Sequence, residues 1–164
     1  MVPGLNYSLA FTIEPPTSAR PGVPFSIPVI VAVRSVGSAS SDPLQQLGAR
    51  AVLRDESGTS SSVDLTGNTS TSVRSRTGNS TSGYAAFNRL IIKSPGKYKL
   101  RVMLVLNTAS GVSVQGFIDS GIIHVNLGAA ASQPPTRAQI LRLQALVPEN
   151  IGISQADIAA WQQI

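Results

Sequence analysis

Apolar and polar residues alternate with a period of two in several short stretches of the chain, a pattern typical of β-strands that bury one face. In residues 7–13 the large apolar side chains occupy the odd positions. In residues 97–106 they occupy the even positions, and basic residues take the first odd ones. By this criterion we predict strands at residues 7–13, 29–33, 49–54, 83–92, 97–106, 112–117 and 121–127.

Two prolines interrupt the second apolar stretch, residues 23–33. Pro24 and Pro28 have no backbone N–H to donate to a strand ladder. We therefore expect an edge strand or a bulged entry before Pro28, and a central strand only over Val29–Val33. About seven short strands separated by turn residues favour an antiparallel β-sandwich spanning residues 1–132.

The stretch from Ser57 to Ser82 differs from the rest, because 15 of its 26 residues are serine or threonine. Its large apolar residues are only Val63, Leu65 and Val73. Such a composition cannot bury enough apolar surface to order itself alone. We expect a long mobile loop here, with one short strand at residues 62–65.

The last part of the chain, residues 133–164, is predicted to be a pair of helices. Thr136 and Gln139 form the S/T-x-x-E/Q pattern of a capping box, and Ser154 with Asp157 marks a second helix start. Ile153 and Ile158 are placed to form a hydrophobic staple across that start. We expect this appendage either to pack on the sandwich or to offer a partner an apolar stripe, for which the candidate residues are Ile158, Trp161 and Ile164.

Length and charge define the class of protein more closely. The chain of 164 residues fits one domain, and its formal net charge of +5 places nucleic acid or another polyanion among the candidate partners. The charge belongs to residues 1–132, because the two arginines of residues 133–164 are balanced by two acids. The chain has no cysteine, so that disulfides and thiolate chemistry are excluded.

Catalytic and membrane signatures are absent from the sequence. His124 is the single histidine, the carboxylates are scattered, and no phosphate-binding, dinucleotide-binding or hydrolase motif occurs. We therefore expect no enzyme activity, metal, cofactor or small-molecule substrate. No apolar run approaches the roughly 20 residues that span a bilayer, and the first residues lack the pattern of an export signal, so we expect a soluble chain.

Basic residues concentrate in two places. Residues 89–101 contain five basic side chains and no acid, and Arg74 and Arg76 lie in the Ser/Thr-rich segment. Such cations contact DNA phosphates in one interpretation. In the other they form a solvated face that discourages strand-to-strand aggregation. The spacing alone does not choose between the two.

Four stretches resemble the fungal velvet domain when taken in order. They are Tyr7–Arg20, with its Glu-Pro-Pro-Thr-Ser-Ala-Arg end, Asp42–Leu47, Gly83–Ile92 and Pro95–Val102. The resemblance covers roughly residues 5–127. It implies an immunoglobulin/Rel-like antiparallel β-sandwich, here with a short C-terminal helical appendage. It also implies a nuclear and cytoplasmic regulator of fungal development, sporulation and secondary metabolism that dimerises with itself or with another velvet protein.

The resemblance also implies a DNA-facing loop after the first strand, which Arg20 matches. From their positions in loops we add Arg34, Arg74 and Arg76 as candidate contacts to double-stranded DNA. The stretch Arg34–Ser41 carries one charge where the family has several. Fewer phosphate contacts mean a lower affinity and a flatter salt dependence.

Two other classes of function compete with this interpretation. An immunoglobulin-like interaction or adhesion module would share the sandwich pattern without binding DNA. Its sequence would also accommodate glycans at the sequons of Asn68 and Asn79. The other class is a hydrolase or transferase, but the sequence shows no nucleophile paired with a base, as such an enzyme requires.

Overall fold

A computed structural model describes most of the chain, namely residues 6–36, 46–57, 61–62, 64–75, 78–79, 83–108, 111–130, 133–149 and 151–163. In these residues the strands are β1 (Asn6–Ile13), β2 (Ser18–Ala19), β3 (Val29–Val36), β4 (Gln46–Asp55), β5 (Ser61–Ser62), β6 (Leu65–Thr66), β7 (Ser70–Ser72), β8 (Arg74–Ser75), β9 (Gly78–Asn79), β10 (Gly83–Phe87), β11 (Ile91–Ile92), β12 (Gly96–Thr108) and β13 (Gly111–Val125). The helices are α1 (Arg137–Leu146), a 3-10 turn (Val147–Glu149) and α2 (Gln155–Gln162). The chain is thus mostly β, as predicted.

The strands form two larger sheets and one small one. Sheet A has the order β1-β3-β10-β8-β9, and all of its pairs are antiparallel. Sheet B has the order β2-β13-β12-β4-β5, with β7 also pairing with β4. Only the contact of β2 with β13 is parallel among the described pairs. Sheet C consists of β6 and β11.

One hydrophobic core joins sheets A and B. Sheet A contributes the odd residues of β3, from Val29 to Val33, and sheet B contributes Leu100, Val102 and Leu104 of β12. These three residues of β12 are at most 1% exposed, and Tyr98 and Leu106 pack against the same core. The alternation predicted for this strand is therefore confirmed.

The Ser/Thr-rich segment differs from the prediction of a loop with one strand at 62–65. Its described residues contribute five short strands, and residues 61–62 and 65–66 belong to different sheets. The physical reason is that a strand ladder is built by backbone groups, so small hydroxyl residues can pair along β4 without an apolar core of their own. β7 does so through Ser70–Ser72.

Two further strand boundaries were predicted wrongly. Residues 112–117 and 121–127 were expected to be separate strands, but β13 runs without interruption from Gly111 to Val125, with irregular register in its pairing with β12. Residues 83–92 were expected to be continuous, yet β10 and β11 belong to different sheets. Arg89, which has a positive φ of 57°, lies between these two strands.

The predicted capping box at Thr136 and the predicted helix start at Ser154 are both present. The Thr136 hydroxyl accepts a hydrogen bond from the Gln139 N–H at 3.2 Å, and the Gln139 side chain accepts one from the Thr136 N–H at 2.8 Å. Ser154 and Asp157 make the equivalent pair at 3.1 and 3.0 Å. These bonds satisfy backbone donors that a helix start otherwise leaves unpaired.

The helices pack on the outer face of sheet A, which is the face turned away from the shared core. Ile140, Leu143 and Leu146 of α1 join Ile13 and Ile30 of sheet A in a second buried cluster. The start of the tail is also tied to the strands, because the Gln133 N–H donates to the Ser26 hydroxyl at 2.9 Å. The appendage was expected either to pack on the sandwich or to offer a partner an apolar stripe, and it packs on sheet A.

We predict that Leu143→Ala lowers the free energy of unfolding by about 2–5 kcal/mol, the usual cost of removing a buried leucine side chain. Leu143 is fully buried, whereas Leu141 on the same helix is 58% exposed, so Leu141→Ala serves as the control. Urea denaturation of both variants measures the difference. Equal effects would show that α1 does not depend on the cluster.

The Tyr7 hydroxyl gives a second prediction, because it is buried and finds no hydrogen-bond partner among the described residues. Burial also raises the pKa of Tyr7. Since an unpaired buried hydroxyl costs free energy, we expect Tyr7→Phe to stabilise the chain by about 1 kcal/mol. Tyr98→Phe is the matched control and should destabilise by a similar amount, because the Tyr98 hydroxyl donates to the Ser94 and Pro95 carbonyls. Destabilisation of both variants in urea titrations would contradict the assignment.

Candidate functional site

Two of the predicted DNA-contacting arginines lie on one exposed sheet face. Arg74 of β8 is opposite Tyr84 of β10, which in turn is opposite Ala32 of β3. Arg34 follows Ala32 by two residues and therefore points to the same side of sheet A. From strand spacing and rise, the Cα atoms of Arg34 and Arg74 are about 12 Å apart.

Among the described residues, no side chain occupies the guanidinium group of Arg34 or of Arg74. Arg34 and Arg74 are exposed, and neither forms an ion pair or a side-chain hydrogen bond with any residue that the structure describes. The helices cover the neighbouring part of this face, where Tyr84 packs against the second cluster. Arg74 lies beside the appendage, where it lines a small pocket with Ile151 and Gly152, and both arginines are exposed.

Arg20, a third predicted DNA contact, lies away from Arg34 and Arg74. Arg20 is exposed and lines a groove of about 310 Å³ between residues 14–27 and the start of the tail. This groove is at the end of the molecule where β3 begins, and Arg34 lies about 17 Å further along that strand. Arg76 lies outside the described residues.

The described residues that were predicted to contact a partner pack within the chain itself. Ile158 is 1% exposed in the second cluster, so no surface of this side chain is left for a partner. Trp161 is half-buried against the same cluster. Ile164 lies outside the described residues.

Sheet B presents a second charged face, which the sequence indicated only in part. The basic residues of β12 that were expected to be exposed share this outer face with Arg50 and Arg54 of β4. Among the described strand residues, this face carries five basic side chains and one carboxylate. The basic residues are Arg50, Arg54, Lys97, Lys99 and Arg101, and the carboxylate is Asp119. The spacing of Arg50 and Arg54 in a strand pattern shows that they share a face, but their register with β12 is a non-local contact that the pattern does not contain.

The carboxylate on this face is held by an arginine. Arg101 donates to the two oxygens of Asp119 at 2.7 and 2.9 Å, and its guanidinium lies 3.9 Å from the centre of the Phe117 ring. The hydrogen bond from Arg101 holds the pKa of Asp119 below its ordinary value, although burial acts in the opposite direction. The ion pair with Asp119 holds the Arg101 guanidinium against the Phe117 ring at the surface.

An apolar row borders this charged face along β13. Val112, Val114 and Phe117 are 67%, 60% and 54% exposed. The register places all three on the outer side of sheet B, where Phe117 is opposite Met103 and Val114 is opposite Val105. Exposed apolar side chains that adjoin one another indicate an interaction surface.

No metal-binding cluster is present among the described residues. His124 is exposed, and no group of three or more histidine, aspartate or glutamate side chains is placed to hold a metal ion in the part of the chain that the structure describes. Within that part, no helix has the length and apolar character needed to cross a membrane.

Neither a protein-family model nor a curated protein matches the chain.

The Arg101–Asp119 pair yields a stability prediction. Because the pKa of Asp119 is lowered by folding, the carboxylate stabilises the chain above its unfolded pKa, and that stability is lost as pH falls through the folded pKa. We expect Asp119→Asn to lower the free energy of unfolding by about 1–2 kcal/mol near neutral pH. The deficit should shrink below about pH 4.

Urea titrations at neutral and acidic pH measure this effect. Glu56→Gln is the control, since Glu56 lies exposed in the turn after β4. The pair would contribute nothing to stability if the two variants had the same pH profile.

Proposed function

We propose that the chain is a velvet-like regulator of fungal development and secondary metabolism that works as a dimer and binds duplex DNA. The dimer forms with a second copy or with another velvet-family protein, and the site of action is the nucleus. In this proposal sheets A and B are the two layers of an immunoglobulin/Rel-like sandwich. The common core of the sheets and the order of the sequence stretches quoted above support it.

The observation that carries DNA binding is the pair of exposed arginines on sheet A. Arg34 and Arg74 have no acidic partner among the described residues, so binding a phosphate would not require breaking an ion pair. Their Cα atoms are about 12 Å apart, which is close to the width of the major groove of B-DNA. Two long basic side chains that start this far apart can reach phosphates on the two backbones that border the groove.

The small number of cations sets the strength of this interaction. Each phosphate contact contributes about 0.9 to the slope of log affinity against log salt, so two contacts give a weak and modestly salt-dependent complex. A dimer brings two such sites to one duplex. The proposal therefore links DNA binding to dimerisation, as one half-site per chain.

The second candidate, an immunoglobulin-like interaction module, is favoured by one observation. The apolar row of Val112, Val114 and Phe117 is exposed without any contribution to the core. Such a row suits a protein contact better than a phosphate contact, because its side chains carry no charge. Binding of partners by this surface is compatible with either class of function.

The DNA proposal predicts that Arg34→Ala/Arg74→Ala reduces the salt slope for duplex binding by about 2, with a loss of affinity of about tenfold or more at low salt. Fluorescence anisotropy with a labelled duplex of about 20 base pairs, repeated over a salt series, measures both quantities. Arg137→Ala/Arg142→Ala is the control, because it removes the same charge from α1. An unchanged slope for the first variant, or equal losses for both, would refute the assignment of this face.

A further inference from the structure

The outer face of sheet B carries its basic side chains and its exposed apolar side chains next to one another. Arg50 of β4 lies opposite Met103 of β12, which in turn lies opposite Phe117 of β13. Lys99 of β12 lies opposite Ile122 of β13. Because neighbouring strands are about 4.8 Å apart, the cations of β4 and β12 border the apolar row of β13 at a distance of one or two strands.

Phe117 presents a supported aromatic ring on this face. The Arg101 guanidinium lies over the ring, 3.9 Å from its centre, and is itself fixed by two hydrogen bonds to Asp119. Phe117 is nevertheless 54% exposed, so the ring surface that Arg101 does not cover faces solvent. Since the ring is already held in place by its neighbour, a further planar group can stack on it with a smaller loss of side-chain entropy.

The cations around this ring exceed the negative charge available to them. The face has five basic side chains and one carboxylate, and that carboxylate, Asp119, is bound by Arg101. Arg50 and Lys97 are exposed, and neither forms an ion pair with a residue that the structure describes. An anionic group can therefore bind here without displacing a side chain.

A single strand of nucleic acid has both properties that this face calls for. Its phosphates are anionic, and its bases have planar faces that stack on aromatic rings. A duplex keeps its base faces inside the helix, so it would contact the cations and leave Phe117 without a role. An anionic membrane or an acidic protein would cover apolar side chains of any shape and has no need of a ring.

We propose that the outer face of sheet B binds single-stranded nucleic acid, with a base stacked on Phe117 and phosphates of the same strand bound by Arg50 and Lys99. This site belongs to sheet B, whereas Arg34 and Arg74 belong to sheet A. It is therefore separate from the duplex-binding surface proposed above. Single strands of RNA and of DNA share the chemistry used here, and the two probes described next distinguish them.

The test uses the full chain with labelled oligouridylate and oligodeoxyuridylate of about 12 nucleotides, since single-strand sites on small domains cover about 4–16 nucleotides. The two probes differ only in the 2′-hydroxyl, so the tighter complex identifies the sugar that the face prefers. Fluorescence anisotropy over a salt series measures affinity and salt slope. We expect saturable binding at low salt.

The phosphate contacts are tested with Arg50→Gln/Lys99→Gln. This variant should reduce the salt slope for the single strand by about 1.4, because each phosphate contact contributes about 0.7. Arg34→Ala/Arg74→Ala is the matched control, since it removes the same charge from sheet A and should leave that slope unchanged. Both variants are also titrated with a duplex, so that failure of one nucleic-acid proposal is distinguishable from failure of the other.

The stacking contact is tested with Phe117→Leu, which keeps an apolar side chain but removes the ring. We expect the single strand to bind at least fivefold more weakly. Phe117→Tyr is the control, because it retains the ring and should bind within about twofold of the unmodified chain. Far-ultraviolet circular dichroism and urea titration confirm that each variant remains folded.

Four results would overturn the proposal. The first is no saturable binding of either probe at low salt and millimolar protein. The second is equal affinity of Phe117→Leu and the unmodified chain for the single strand. The third is an equal loss of duplex and single-strand binding in Arg50→Gln/Lys99→Gln, which would make the face a site for any polyanion. The fourth is release of the probe by phosphatidylserine vesicles whose binding Phe117→Leu leaves unchanged, which would assign the face to a membrane surface.

Discussion

The burial of β3 on both of its faces is the constraint on which the rest of the structure depends. Its odd residues, including Val29 and Val31, enter the core shared by sheets A and B, while Ile30 enters the cluster beneath the helices. A strand that is apolar on both sides must be covered on both sides. Sheet B covers one face and α1 with α2 cover part of the other, so that the appendage is required by the composition of this strand.

Local features of the sequence predicted the structure well. The capping boxes at Thr136 and Ser154 involve residues three apart, and their hydrogen bonds are present. The alternation of β12 likewise depends on one strand alone, and its buried row is where it was expected. These features are determined within a few residues, so a single sequence contains the information for them.

Features that depend on pairing between distant segments were predicted less well. The hydroxyl-rich residues of β7 have no apolar signal, and they are strands only because β4 offers its edge. The basic face of sheet B needed the register of β4 against β12, which brings Arg54 opposite Lys99. The candidate site shows the same contrast between local features and features that depend on pairing between distant segments. Arg34 and Arg74 were expected in loops, but they lie in β3 and β8, and only the pairing of both strands with β10 places them on one face.

The packing of the helices on sheet A also has a consequence for the order of events in folding. α1 has 10 residues and α2 has 8, and helices of this length are marginal in water on their own. They need the sheet as a template, yet the sheet strands that they cover leave the ribosome first, with Ile13 and Ile30 uncovered until Leu143 and Ile158 follow. A nascent chain thus exposes this apolar face until α1 and α2 have emerged, and an exposed apolar face promotes aggregation during that interval.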